Sequence, residues 1–243
     1  MEKEIGSFTP AELYVLAGAA GITKLFGLQE REVLTFTNEN CVSKATTELR
    51  KKGLITEKNS LTPAAIQLIE LLKAYQESQE YTKINNLLIG FLPQDKDRVA
   101  VLTERKKNEK YEIHYIAKRD VYFSLLKEIS FLIREPRDIE DTFFTKKMIE
   151  KEQYIFEEMD LSEKELLIIE TFARPRSRTM ESSVKWQCFM YFTEGEDFIQ
   201  IEVERNRYEW ASLYAVNKKL YDVLKMPYKK ISDPRQFSLG GIE

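Results

Sequence analysis

Two stretches carry the reading of this chain: Lys110-Tyr111-Glu112-Ile113-His114-Tyr115 and Arg207-Tyr208-Glu209-Trp210-Ala211-Ser212. In each, β-branched or aromatic residues alternate with charged ones, the pattern of a strand with one face against a core. Each follows a strand pair and leads into an amphipathic helix. In the first copy the strands are expected at 87–92 and 98–104 and the helix at about 120–133; in the second, at 186–192 and 198–204, with the helix at about 217–226. The turns Pro93-Gln94-Asp95-Lys96-Asp97 and Thr193-Glu194-Gly195-Glu196-Asp197 are polar breaks suited to antiparallel hairpins.

A second likeness lies upstream of each copy. Phe8-Thr9-Pro10-Ala11-Glu12-Leu13 and Leu161-Ser162-Glu163-Lys164-Glu165-Leu166 both offer a hydroxyl N-cap, a Glu three residues on and an apolar residue before the cap, so both are expected to open helices. The chain thus reads as α+β. Two quasi-repeated β-β-β-α units with pseudo-two-fold symmetry are expected to join edges into a central mixed or antiparallel sheet of about six strands. Helices are expected on one face and at the ends, the other face partly open. The N-terminal half is 1–160, with a helical, winged-helix-like insertion at about 20–80 and a bridging helix at about 143–158. The C-terminal half is 161–243 and ends in the tail Pro234-Arg235-Gln236-Phe237-Ser238-Leu239-Gly240-Gly241, read as fraying or docking. The whole is expected to be one compact domain.

At 243 residues, 43% apolar and 32% charged, the chain has the composition of a protein that buries a core. The 37 Lys and Arg against 40 Asp and Glu leave a net charge of −3, so no bulk positive field favours nucleic acid. Cys41, Cys188 and the single His114 are too few and too scattered for a structural zinc site, and no cofactor is expected. Apolar runs are too short for membrane insertion, the first ten residues lack a signal peptide's apolar stretch, and a cytoplasmic location with reduced thiols is expected. No phosphate-binding Gly-rich loop, nucleophile elbow or Cys-His pair is recognisable, so the reading is not an enzyme and no catalytic residue is named.

One segment points elsewhere. Ser43-Lys44-Ala45-Thr46-Thr47-Glu48-Leu49-Arg50-Lys51-Lys52-Gly53-Leu54-Ile55, followed by Leu61-Thr62-Pro63, has the phrasing of a winged-helix regulator: a helix over 45–52, a Gly-Leu-Ile turn into a wing, and a capped next helix. Lys44, Arg50, Lys51 and Lys52 are its candidate phosphate contacts. A DNA-binding transcription regulator is therefore the alternative function.

The order of Thr9-Pro10-Ala11-Glu12-Leu13-Tyr14-Val15-Leu16, a turn through Gly21 and Gly27-Leu28, Leu49-Arg50-Lys51-Lys52-Gly53-Leu54-Ile55 and Leu61-Thr62-Pro63 resembles the N-terminal half of EspG-like proteins, chaperones of type VII (ESX) secretion, in a divergent form of low-GC Gram-positive bacteria. The resemblance implies a duplicated strand and helix layout and a cytosolic chaperone or adaptor that keeps a helical secretion substrate soluble and export-competent. The Lys-rich end of the 45–52 helix and the charged bridge at 140–158 depart from the family pattern, so a WXG100-type or LXG-type substrate stands beside the PE/PPE type. Covering an apolar helical tip asks for rigid aromatics on an open sheet face. The candidate partner-binding residues are Tyr111, Ile113 and Tyr115 in the first copy and Trp186, Tyr208, Trp210 and Tyr214 in the second. Arg105, Lys106 and Lys107, in a turn that the resemblance equates with a substrate-touching loop, would add a charged rim. A weak homodimer is the one self-association left open.

Overall fold

The structure, a computed structural model, describes residues 6–37, 40–140, 144–173 and 185–228; the tail at 234–241 lies outside these. Four helices come first: α1 (Pro10–Gly18), α2 (Arg31–Thr37), α3 (Cys41–Lys51) and α4 (Pro63–Glu77). The anticipated capping box forms at α1, where the Glu12 N–H donates to Thr9 Oγ1 at 3.2 Å and the Thr9 N–H to Glu12 Oε2 at 2.6 Å. Gly53, at φ +72°, ends α3 in the left-handed conformation, with the Leu54 N–H reaching back to the Leu49 carbonyl at 2.9 Å. Thr62 caps α4 and Pro63 takes its first position.

Strands β1 (Glu80–Ile84), β2 (Leu87–Phe91), β3 (Arg98–Lys106) and β4 (Lys110–Ala117) follow, then α5 (Lys118–Glu128). Next come β5 (Thr145–Lys147), α6 (Glu150–Glu157), β6 (Leu167–Ala173), β7 (Lys185–Glu194), β8 (Asp197–Glu202), β9 (Arg207–Ala211) and α7 (Leu213–Val223). All strands join one antiparallel sheet in the order β4-β3-β2-β1-β6-β7-β8-β9-β5. The seam between the two halves of the chain is β1 against β6, from Glu80↔Ala173 to Ile84↔Ile169.

The sheet therefore has nine strands among the described residues, not about six. Three segments account for the difference: β1, β5 and β6. The expected capped helix at Leu161 does not form, because its two capping groups are taken. The Ser162 N–H donates to Asp160 Oδ1 at 2.9 Å, and Glu165 accepts from the N–H and hydroxyl of Ser130 at 3.0 and 2.6 Å. Leu167-Ile168-Ile169-Glu170-Thr171-Phe172 then runs as a strand, with Leu167 and Ile169 fully buried. The expected long bridging helix shrinks to α6, since residues 145–147 pair with β9 and the Met148 N–H donates to the Tyr208 carbonyl at 3.0 Å. The helix expected at 120–133 stops at Glu128 and continues as a 3-10 turn over Ser130–Ile133, and α7 starts early because Ser212 is its N-cap.

Helices cover both faces, not one. Such a sheet asks for strands apolar on both sides, as in Val99-Ala100-Val101-Leu102, all buried. On the first face α5, α7 and the 3-10 turn close one core that runs across the seam, from Ile89, Val99 and Val101 through Ile84 and Ile169 to Phe189, Tyr191 and Phe198. On the second face there are two separate cores. One lies under α1, α3 and α4, with Leu13, Leu49, Leu72, Tyr75, Tyr81, Leu102 and Tyr111. The other lies under α6, with Met148, Phe156, Phe192, Ile199, Ile201 and Tyr208.

Glu140 ties the first-face cover to the sheet. It is fully buried, accepts from Arg134 at 2.7 Å, from the Arg137 N–H at 3.0 Å and from the Leu213 N–H at the start of α7 at 3.1 Å. Burial alone would raise its pKa, but these donors outweigh it and hold the carboxyl below its ordinary value.

Candidate functional site

Alternation along β4 puts Tyr111, Ile113 and Tyr115 on the second face. They differ in exposure. Tyr111 is 1% exposed, bridged by Phe8 and hydrogen-bonded from its hydroxyl to Glu104 at 2.9 Å; burial first, and Glu104 second, push its pKa up. Ile113 is half-buried against the helical lobe. Tyr115 is exposed, donates its hydroxyl to Asp95 and lies under the Arg98 guanidinium at 4.3 Å. In the adjoining turn Arg105 pairs with Glu112 at 2.7 Å and Lys106 with Glu109 at 2.5 Å, while Lys107 is exposed.

In the second half Tyr208 is buried under α6, and Trp210 packs edge-on against Phe156 with ring centroids 5.6 Å apart. Tyr214 lies in the first turn of α7, on the opposite side of the sheet. Trp186 is 41% exposed although it sits on an interior strand, its indole N–H donating to Glu170 at 3.2 Å. These residues do not form one patch. β4 and β9 are seven strand spacings apart in the sheet order, roughly 34 Å at ~4.8 Å each. One compact apolar tip cannot reach both.

Among the described residues the least covered part of the second face is its middle, between the two cores. Its rows are fixed by register: Tyr81, Phe172 and Trp186 in one, Lys83, Glu170 and Cys188 in the next, Ile168 and Met190 in a third. Lys83 pairs with Glu170 at 3.1 Å, so Glu170 lies between an ammonium and the Trp186 indole. Phe172 is half-buried, against Phe26 at 4.9 Å. Cys188 is buried, and burial, with Glu170 and Glu204 adding to it, pushes its thiol up to about 11; at neutral pH it stays protonated and poorly nucleophilic. Of this strip only Trp186 was expected. Lys83, Glu170 and Phe172 were missed because β1 and β6 were missed; a period-two reading of Thr82-Lys83-Ile84 and of 167–172 was the available signal.

Elsewhere several charged side chains pair with one another. On the first face Arg207 pairs with Glu202 at 2.9 Å and with Glu209 at 3.2 Å, and Gln200 donates to Glu209 at 2.8 Å, beside a cavity of about 350 Å³. His114 is exposed, 3.3 Å from Glu112. On α3, Arg50 bonds Asn59 at 2.5 Å, Lys51 pairs with Glu48 at 2.6 Å, and Lys52 pairs with Glu12 at 2.5 Å, which leaves Lys44 as the one cation of that helix without an ion pair or side-chain hydrogen bond among the described residues. No group of His, Cys, Asp or Glu among the described residues is placed to hold a metal ion, and none of the described helices is long and apolar enough to cross a membrane.

No curated protein matches the sequence. The family described as "Domain of unknown function (DUF5081)" matches residues 2–232, nearly the whole chain, and the protein belongs to that family.

Proposed function

We propose that this protein is a non-enzymatic chaperone or adaptor, EspG-like in role, that holds a helical type VII secretion substrate of WXG100, LXG or PE/PPE type. One observation carries the reading: among the described residues a tryptophan stands exposed on an interior strand, beside half-buried Phe172 and two rows from half-buried Ile168 and Met190, between the two second-face cores. Rigid apolar side chains on a fixed strand lose little entropy on binding and are the residues that anchor interfaces. The Lys83–Glu170 pair gives the strip a polar middle row that can select a register. The two β-β-β-β-α runs, read as pseudo-symmetric halves of one domain, would make this strip the centre of the molecule, long enough for a helix laid along it.

The test is co-purification with WXG100-, LXG- and PE/PPE-type helical proteins, followed by titration of Trp186→Ala and Tyr214→Ala. The reading expects Trp186→Ala to weaken binding by more than about tenfold with an unchanged melting temperature, and Tyr214→Ala, on the other face, to bind normally. Failure of every such substrate to bind would end it. The DNA-binding alternative draws support from the bridge of Ile55 to Leu61 beside α3, a short wing, but three of its four cations already serve protein partners. A salt-dependent gel shift lost on changing Arg50, Lys51 and Lys52 to Ala would favour it.

A further inference from the structure

Two lysines stand where lysine is physically disfavoured, and both face the same cavity. Lys118 is the first residue of α5, whose N-terminus has no side-chain cap, so its charge opposes the helix dipole. It is 7% exposed, and its ammonium has no carboxylate partner among the described residues, only the Lys225 carbonyl at 3.3 Å and the Phe91 ring at 5.5 Å. A buried ammonium without a contacting carboxylate is costly, even with Asp97 and Asp95 nearby. Lys225 follows α7 with φ at +53° and the Met226 N–H bonded back to the Tyr221 carbonyl at 3.0 Å, a helix end that favours glycine. Its ammonium lies 4.5 Å from the same Phe91 ring and pairs with Glu80 at 2.7 Å.

The cavity, about 260 Å³, is lined by both lysines, Lys96, Phe91, Glu80 and Asp95. Its two carboxylates are committed. Glu80 holds Lys225, and Asp95 accepts the N–H groups of Asp97 and Arg98 at 2.9 and 3.0 Å and the Tyr115 hydroxyl. Lys118 and the exposed Lys96 are left to meet something else. We infer that this cavity, between the end of α7 and the start of α5, binds a small oxyanion, a phosphate group or a carboxylate, through Lys118 with Lys96 and Lys225 around it. The volume is below that of a typical drug-sized ligand site, which fits a single anionic group and not a nucleotide. Desolvation first, and Lys225 second, lower the pKa of Lys118, outweighing the pull of Asp97 and Asp95 nearby.

The experiment melts the full chain in sodium phosphate, in sodium acetate and in sodium chloride at matched ionic strength, and measures affinity by calorimetry. A saturable rise in melting temperature over chloride is expected. Phosphate acting alone assigns a phosphate group, and acetate acting alone a carboxylate. Lys118→Met removes a buried charge, so it should fold at least as well as the parent while losing about tenfold or more in anion affinity, the usual worth of a charge-assisted bond. Lys225→Gly relieves the left-handed strain and should likewise be stable but bind more weakly. No response to either anion in the parent protein, or an undiminished response in Lys118→Met, would overturn the assignment.

Discussion

The two faces of the sheet are built from the same strands yet organised differently. On the first, one core crosses the seam without a break, from β3 through β1 and β6 to β8. On the second, the helical lobe and α6 close two cores that stop short of each other, and a strip with Trp186 lies between. The comparison separates two jobs. A continuous core makes the halves one cooperative unit, while an interrupted one leaves apolar surface available without weakening the seam beneath it.

Glu140 offers the hardest test of that continuity. Replacing it with Gln takes the carboxylate from Arg134 and from the buried Leu213 N–H, while Arg137 keeps Asp197 at 2.8 Å, and breaking such a network costs about 3–5 kcal/mol. Its native pKa lies below the unfolded value near 4.5, so its stabilisation is complete above that pH and is lost as pH falls through the native pKa. Chemical denaturation at neutral and acid pH should show a shallower acid limb in the variant than in the parent. An equal loss at every pH would detach Glu140 from the acid sensitivity of the fold.

Truncation at the seam comes next in size. Ile169→Ala empties a fully buried site where both halves meet, a loss of about 2–5 kcal/mol. Hydrogen exchange should then speed up together in β2 and β8, which lie on either side. If only the C-terminal strands responded, the first-face core would not be one unit.

Phe156→Ala makes the smallest change and the opposite prediction. Phe156 is the only buried residue of the eight-residue α6, and a helix so short draws its stability from that contact. Local opening limits the global loss to about 1–2 kcal/mol. Exchange should rise in residues 150–157 and around Tyr208, leaving α1 and α4 unchanged. A collapse of protection across the helical lobe would show the second-face cores to be coupled after all.

Much of the N-terminal half was legible, and the reason is local chemistry. Thr9, Pro10 and Glu12 specify a helix start that nothing downstream contests. Thr62 and Pro63 likewise specify the start of α4. The same capping signal at Ser162 and Glu165 misled, because its groups are claimed by Asp160 and Ser130, the second of them distant in sequence. At the site, alternation put Tyr111, Ile113 and Tyr115 on one strand face, yet Tyr111 and Tyr208 are buried while Trp186 is exposed. Which of them remain open depends on which strand lies beside which, and that follows from the β1 and β6 pairing, not from any single segment.

That pairing also bears on how the chain emerges during synthesis. β1 finds β6 only after the intervening segment has been made, on the order of ten seconds at roughly 5–20 residues per second. Until then its hydrogen-bonding edge, with Tyr81 and Ile84 beside it, is a docking place for any other nascent strand. Slower translation past Glu128, or crowding of ribosomes on one message, should therefore raise aggregation of newborn chains while leaving the finished protein untouched.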